Sequence, residues 1–138
     1  MASTAISAQG SVISIDTGTP AAPAWVVIKN VISFDGFDGS ASEIDVTDLA
    51  STAMEYVRGL QDMGKFAMTI NIDRTDPGQM AVEAARVSGA VRGIKLVLPN
   101  AKTAIFNVLV KATPMSGGVN AVLKGSIDTK ITGPVVWT

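Results

Sequence analysis

The chain has 138 residues, a net charge of −1, 47% hydrophobic residues and 17% charged residues, which suits one domain, residues 1–138, with a substantial core. It contains no cysteine and no histidine, so disulfides, thiolate or imidazole zinc sites and Ser-His or Cys-His catalysis are excluded. The charge is not that of a basic nucleic-acid binder, and no apolar run reaches the ~20 residues that cross a membrane, so a cytosolic origin is the default expectation.

The first quarter of the chain is predicted to hold an arm followed by short strands. Residues 1–10 are small and polar apart from Ile6, which predicts an extended, mobile N-terminal arm. Residues 11–16 alternate as a half-buried strand does, and residues 25–34 are rich in β-branched side chains. The second of these strands is expected to bend near Asn30.

Residues 35–62 form the least regular segment. Two Asp-Gly pairs open it and favour tight turns over a calcium loop, because the ligand spacing and the later glutamate of such a loop are missing. A short strand is predicted at residues 43–49, and no clean period follows it. The segment is therefore predicted to be a long central loop. Loops of this length are usually functional, so its apolar side chains are expected to form an assembly surface, the alternative being a loop folded over its own domain.

One helix is predicted at about residues 76–89. Asp76 can cap its first turn, Pro77 fits the first helical position, and Gln79 stands at the third position of a capping box. Gly89 supplies a helix stop. The apolar stripe expected to face the sheet consists of Met80, Ala84 and Val87.

Strands with a period of two flank this helix. One is predicted at residues 63–73, and residues 91–99, 103–114 and 119–132 predict an antiparallel meander, with MSGG as a turn before its last strand. The side chains of the first and last of these strands that are expected to face the core are Phe66, Met68, Ile70, Ile72, Val119, Ala121, Leu123, Ile127 and Ile131. The predicted fold is mainly β, a β-sandwich or small barrel with one α-helix, a long central loop and an extended N-terminal arm.

No stretch of the sequence carries a motif for catalysis. No Gly-rich phosphate loop occurs, and the carboxylates of residues 35–62 match solvated loop charges better than a paired acid and base. Basic residues are scattered and aromatic residues are few, so no DNA-gripping groove is expected. The sequence therefore predicts no enzyme, no metal site and no cofactor.

The arrangement of these elements resembles the tail tube, or major tail, proteins of long-tailed bacteriophages. The resemblance rests on the arm, the long central loop and the β-domain in which the helix of TDPGQMAVEAARVSGA lies between two strands. It is strongest from Glu43 to Thr132, where the strand ending NIDRTDPGQ leads into the helix and the closing meander. Some relatives carry an immunoglobulin-like domain after the tube domain, and this chain is not expected to have one.

The resemblance implies a structural protein of the virion tail. Its subunits would close into hexameric rings that stack into a tube, through which DNA passes without specific binding during ejection into the host. The other implied partners are tail terminator, tape-measure and tail-tip proteins, with assembly in the host bacterial cytoplasm. By analogy, the arm and the loop would bridge neighbouring subunits or rings, and the candidate interface residues are Ile6, Leu49, Met54, Tyr56, Val57, Leu60 and Trp137.

The lumen of such a tube should be polar, and neutral or acidic overall. Each neutralised phosphate adds salt-sensitive affinity that would retain the DNA, so a ring of lysines would contradict this mechanism. For any polar strand face, the alternative is ordinary exposure to solvent outside the tube. The candidate lumen residues are Thr69, Asn71, Asp73, Lys124, Ser126 and Asp128.

The sequence leaves two other functional interpretations open. The tube protein of a type VI secretion system or another contractile injection machine shares the implied fold and ring logic, but passes proteins. A small β-barrel that binds an apolar ligand would be a stable monomer with a ligand-sized cavity, and it would leave the apolar side chains of residues 35–62 unexplained.

Overall fold

The computed structural model describes residues 3, 5–18 and 22–138. It confirms a mainly β fold with one helix. The elements are β1 Val12–Asp16, β2 Trp25–Val27, β3 Val31–Gly36, β4 Ala41–Asp45, β5 Tyr56–Gln61, β6 Lys65–Asn71, α1 Pro77–Ser88, β7 Arg92–Val97, β8 Thr103–Ala112, β9 Met115–Gly118 and β10 Ala121–Trp137.

Most strands belong to one antiparallel sheet with the order β2-β1-β7-β8-β10-β6-β3, and β9 pairs with β10 beyond the end of β8. The predicted meander is present as β7-β8-β10. The expected bend is also present: Asn30 has a positive φ of 62° and separates β2 from β3. A second, two-stranded sheet consists of β4 and β5.

The main sheet curls towards a barrel because a short segment joins strands from its two ends. Ile28 N donates to Ile13 O of β1 at 2.9 Å, and Asn30 O accepts from Asn71 N of β6 at 2.9 Å. In a flat sheet, β1 and β6 would stand about 19 Å apart, four strand spacings, whereas two residues span only about 7 Å. The curl gives the sheet an inner face, which is packed, and an outer face, which is open.

The inner face carries the core, and α1 packs over it. The rings of Phe66 and Phe106, on strands either side of β10, are 5.2 Å apart, and Val82 and Ala85 of the helix are buried with them. The buried strand residues include Ile13, Ile15, Phe66, Met68, Ile70, Ile94, Leu96, Ala104, Phe106, Val108, Val110, Ile127 and Ile131. Ile72, also expected in the core, lies beyond the end of β6. It is half-buried and packs against the core.

Both predicted ends of the helix are confirmed. Asp76 Oδ2 accepts from Gln79 N at 3.1 Å, and Gly89 closes the helix in the left-handed region with φ 71°. Gln79 does not complete a capping box with Asp76 N. Its amide instead accepts from Asp73 N at 2.9 Å and donates to Lys29 O and Asn71 O at 3.0 Å each.

The predicted apolar stripe of the helix is wrong. Ala84 is exposed and Val87 is 73% exposed, and Met80 is only half-buried. The helix turns Gly78, Gln79, Val82 and Ala85 inward instead. The reason lies at the first turn of the helix. A Cβ on Gly78 would stand 2.2 Å from Val27 O, so glycine is needed for the helix to approach Val27 this closely. The hydrogen bonds of Gln79 then fix which face of the helix turns inward.

The last strand also differs from its prediction. Ile127 and Ile131 are buried, but Val119, Ala121 and Leu123 are exposed. The MSGG sequence, expected to be a turn, is strand β9, and the turn lies at residues 119–120. The start of β10 therefore runs past the sheet as a hairpin with β9, where an alternating pattern has no core to face.

Asp76→Ala should destabilise the fold by about 2 kcal/mol, because it removes a helix cap and leaves Lys29 N without its bond at 3.1 Å. The measurement is the free energy of unfolding in urea. Asp76→Asn keeps an acceptor oxygen and should lose less, and the exposed Asp35→Ala should change stability by less than about 0.5 kcal/mol. Equal losses in all three variants would contradict this account.

Candidate assembly surfaces

The segment expected to be a long loop contains a two-stranded hairpin, β4–β5, which pairs Ile44 with Val57 and Asp45 with Tyr56. The strand predicted at residues 43–49 overlaps β4, which ends earlier, at Asp45. Strand β5 was not predicted, because both faces of the hairpin are exposed and no buried face imposes a period. The predicted interface residues on it are all exposed: Leu49, Met54, Tyr56, Val57 and Leu60. Ile44 and Val46 add to this apolar surface and were not predicted to be part of it. Their alternation with acidic residues in EIDV could have indicated a shared apolar strand face.

The base of the hairpin is tightly packed. Phe37 adopts a positive φ of 59°, and its ring lies 5.2 Å from that of Phe106 and 5.6 Å from that of Phe66. A Cβ added to Gly39 would stand 1.8 Å from Asp62 O across the neck. The close approach of two backbone segments and the packing of the Phe37 ring therefore hold the hairpin to the body, although β4 and β5 share no ladder with the main sheet.

Local polar contacts order the tip of this hairpin. Thr47 Oγ1 accepts from Glu55 N at 2.8 Å, and Ser51 Oγ donates to Glu55 Oε2 at 2.6 Å. Hydrogen bonds from the Thr47 backbone and side chain lower the pKa of Asp45. The polar groups thus bond among themselves or face solvent, and the apolar side chains remain free to contact another surface.

The remaining two predicted interface residues lie away from the hairpin. Trp137 ends β10 and remains 53% exposed while its ring stands 6.1 Å from that of Phe37. Ile6 is exposed in the N-terminal segment. Of the predicted arm, Met1, Ala2 and Thr4 lie outside the described residues.

Most of the predicted lumen residues come together on the outer face of β6 and β10. The register sets Lys124 opposite Asn71 and Ser126 opposite Thr69, and Asp128 follows on the same side of β10. Asp73 does not join them. It lies past the end of β6, where its carboxylate accepts from Thr75 N and Oγ1, and these bonds lower its pKa.

Charges on this outer face are mixed in sign. Its middle carries Thr69 and Ser126, with the carboxylate of Asp128 beside them. Lys130, at one end, donates to Asp62 Oδ1 at 2.8 Å, and this bond lowers the pKa of Asp62. Lys124 stands at the other end. Lys65, opposite Lys130 in the register, adds a second lysine at that end. The face is therefore polar, with its lysines near its two ends and none in its middle.

A second hairpin, β9–β10, also exposes apolar side chains that were not predicted as an assembly surface. Three of these side chains were expected either in the core or in a turn, so the sequence did not indicate that they form an exposed apolar surface. They are Met115, Val119, Val122 and Leu123.

Membrane-spanning helices and metal-binding clusters are both absent from the described residues. The one helix is too short and too polar to cross a membrane. Within the same ranges, no group of three or more acidic side chains is placed to hold a metal ion. Asp38, in the run DGFDG, uses its Oδ1 to accept from Lys65 N at 3.0 Å at the hairpin base.

Gly39→Ala should loosen the β4–β5 hairpin while leaving the core intact, because the added methyl cannot fit against Asp62 O. Backbone amides of β4 and β5 should lose most of their protection from hydrogen exchange, and those of β6 and β10 should keep theirs. Gly118→Ala is the matched control, since its Cβ would make an ordinary 3.7 Å contact. Unchanged exchange in Gly39→Ala would show that the neck is not close-packed.

Solved structures with this fold come from phage-like tails and injection machines. The chain is similar to a protein in the virion of a native gene transfer agent particle, with a TM-score of 0.78, 14% identity, and coverage of 97% of this chain and 99% of that one. It is also similar to the SPP1 tail tube, with a TM-score of 0.71, 16% identity and coverage of 96% and 78%. A third similar structure is the sheath/tube terminator of the extracellular contractile injection system PVC, with a TM-score of 0.72, 12% identity and coverage of 100% and 99%.

Sequence comparison gives the family. No curated protein sequence matches the chain significantly. The family model for the lambda-like phage tail tube protein matches residues 4–95, which is roughly two thirds of the chain. The chain therefore belongs to the lambda-like phage tail tube proteins and is a structural component of a phage tail tube.

Proposed function

We propose that copies of this chain close into hexameric rings and that the rings stack into a tube that conducts DNA during ejection. The observation that carries the proposal is the β4–β5 hairpin, an ordered, apolar extension with no role in its own core. Leu60 on this hairpin is 93% exposed. The tail of an empty gene transfer agent particle, described with C6 symmetry, has a similar fold with a TM-score of 0.72 and 15% identity, which supports the sixfold ring.

The energetics favour burial of this hairpin against other copies. An isolated two-stranded hairpin is marginal in water, and burying a Leu-sized side chain contributes about 1.5–3 kcal/mol. A ring requires two different surfaces on each subunit, because a head-to-tail contact closes only when one patch meets another. Stacking needs a further pair of surfaces, between rings. In the proposal, the hairpin supplies one of these, and Trp137 and Ile6 extend the contacts between copies.

The proposal assigns the outer face of β6 and β10 to the wall of the channel. DNA must slide along such a wall, and every neutralised phosphate adds affinity that holds it. Thr69 and Ser126 offer hydroxyl groups and Asp128 offers a carboxylate, and Asp62 bonds Lys130. A wall of this composition would let DNA pass without specific binding.

The partners and location follow the family. We propose that the tube meets tail terminator, tape-measure and tail-tip proteins, that it assembles in the host cytoplasm, and that the chain has no catalytic role. The family model describes phage tubes, which favours DNA over protein as the cargo. The ligand-binding barrel is disfavoured because Phe66, Phe106 and Val82 fill the inner face.

Electron microscopy of the purified chain across a concentration series tests the proposal. Rings or hollow tubes with sixfold symmetry are expected, and a reconstruction should place Thr69 and Ser126 on the channel wall. A monomer at every concentration, even with a tail-tip initiator added, would overturn the proposal. Tubes with the outer face of β6 and β10 turned away from the channel would overturn only the assignment of the wall.

Leu60→Asp and Tyr56→Asp should each block polymerisation while leaving the monomer folded, because both side chains are exposed and a buried carboxylate in an interface is costly. Light scattering reports assembly, and thermal unfolding reports the fold. Val87→Asp is the control, since Val87 is exposed on the helix, away from the hairpin. Normal tubes from both hairpin variants would show that the hairpin is not an interface.

A further inference from the structure

The two hairpins leave the main sheet at opposite ends. At one end of β6, Phe66 pairs with Gly36, the last residue before the neck of the β4–β5 hairpin. At the other end, Ile70 pairs with Gly125, which also pairs with Met115 of β9. These two positions are separated by about 13 Å, four residue steps along the strand. Each subunit therefore carries one apolar extension at each end.

The two extensions differ in charge. Residues 41–61 contain four acidic residues and one basic residue. Residues 111–127, which run from the end of β8 through the β9–β10 hairpin, contain two basic residues and no acidic one. Lys111, near the end of β8, and Lys124, near the start of β10, are exposed at the base of the β9–β10 hairpin.

These charges are available to another molecule. Among the described residues, the ion pairs are Arg86 with Glu83 and Lys130 with Asp62, so neither hairpin neutralises its own charge. Two acidic groups lie near the β9–β10 end. One is Glu83, which accepts from Thr113 Oγ1 at 2.9 Å and is neutralised by Arg86. The other is Asp73. It already accepts two bonds from Thr75, and Arg74 follows it. The β9–β10 end therefore remains basic, and the β4–β5 hairpin remains acidic.

We propose that the acidic β4–β5 hairpin of one copy docks on the basic β9–β10 hairpin of a second copy in the next ring, so that charge sets the polarity of stacking. The inference rests on the proposed tube, and it names the partner of the exposed hairpin. It assigns Lys124 to the contact between rings, at the end of the channel wall. Apolar side chains on both hairpins would pack at the centre of the contact, surrounded by the charges.

Charge of opposite sign at the two ends explains a single stacking direction. Two β4–β5 hairpins brought together would place carboxylates against carboxylates, and two β9–β10 hairpins would place lysines together. Like-charge contacts of this kind disfavour wrong arrangements, whereas opposite charges steer the right one. A head-to-tail axial contact repeats without end, as a tube requires.

The test is charge reversal at each end and then at both. Lys124→Glu and Glu55→Lys should each raise the critical concentration for tube formation about tenfold or more, with single rings still forming. The combined variant, Glu55→Lys with Lys124→Glu, should recover most of the wild-type value. Lys95→Glu is the matched control, because it makes the same charge change in the middle of β7, away from both hairpins. Circular dichroism establishes that each variant is folded.

Salt provides a second readout. The wild-type critical concentration should rise with NaCl, and that of Lys124→Glu should fall as repulsion is screened. Wild-type tubes together with unaffected charge variants would overturn this inference and leave the tube function standing. The same holds if the combined variant fails to recover while each single variant is folded. Failure of the wild-type chain to form rings or tubes would instead overturn the proposed function.

Discussion

A buried polar network at the start of the helix holds the rest of the structure in place. Asp76 accepts from Lys29 N, and Gln79 donates to Lys29 O and Asn71 O. These bonds tie the segment between β2 and β3 to the end of β6, and so hold together strands from the two ends of the sheet. Burying Asp76 and Gln79 without these bonds would be costly, so the network favours one curl of the sheet, and the curl decides which face is inside.

The curl also separates two kinds of surface. The inner face is filled by aromatic and aliphatic side chains such as Phe66 and Phe106, which leaves the outer face of β6 and β10 free to be polar. The proposed tube assigns assembly to the hairpins, which extend beyond the sheet and can be apolar without disturbing the core. A tube needs two separate surfaces, because its channel wall must not bind DNA whereas its subunit contacts must be stable.

Exposed apolar side chains such as Leu49 and Leu60 are an aggregation hazard in a free subunit. The acidic residues around them, Glu43, Asp45, Asp48 and Glu55, counter that hazard, because like charges keep identical hairpins apart. In the stacking proposal the same charges later meet the lysines of the next ring. One set of carboxylates would thus keep subunits soluble and direct their assembly.

Local pattern was enough for the sequence to determine several elements by itself. Asp76 and Gly89 mark the helix ends through backbone rules that need no distant partner, and the alternation in β6 and β8 predicts their buried faces because those strands lie on the core. Only the tertiary structure decided the rest. The face of the helix depends on how closely Gly78 approaches Val27. Val119 and Leu123 alternate like core residues but lie on a hairpin outside the sheet. The hydrophobic pattern of the sequence shows which residues could be buried. The strand topology decides whether a core lies against them.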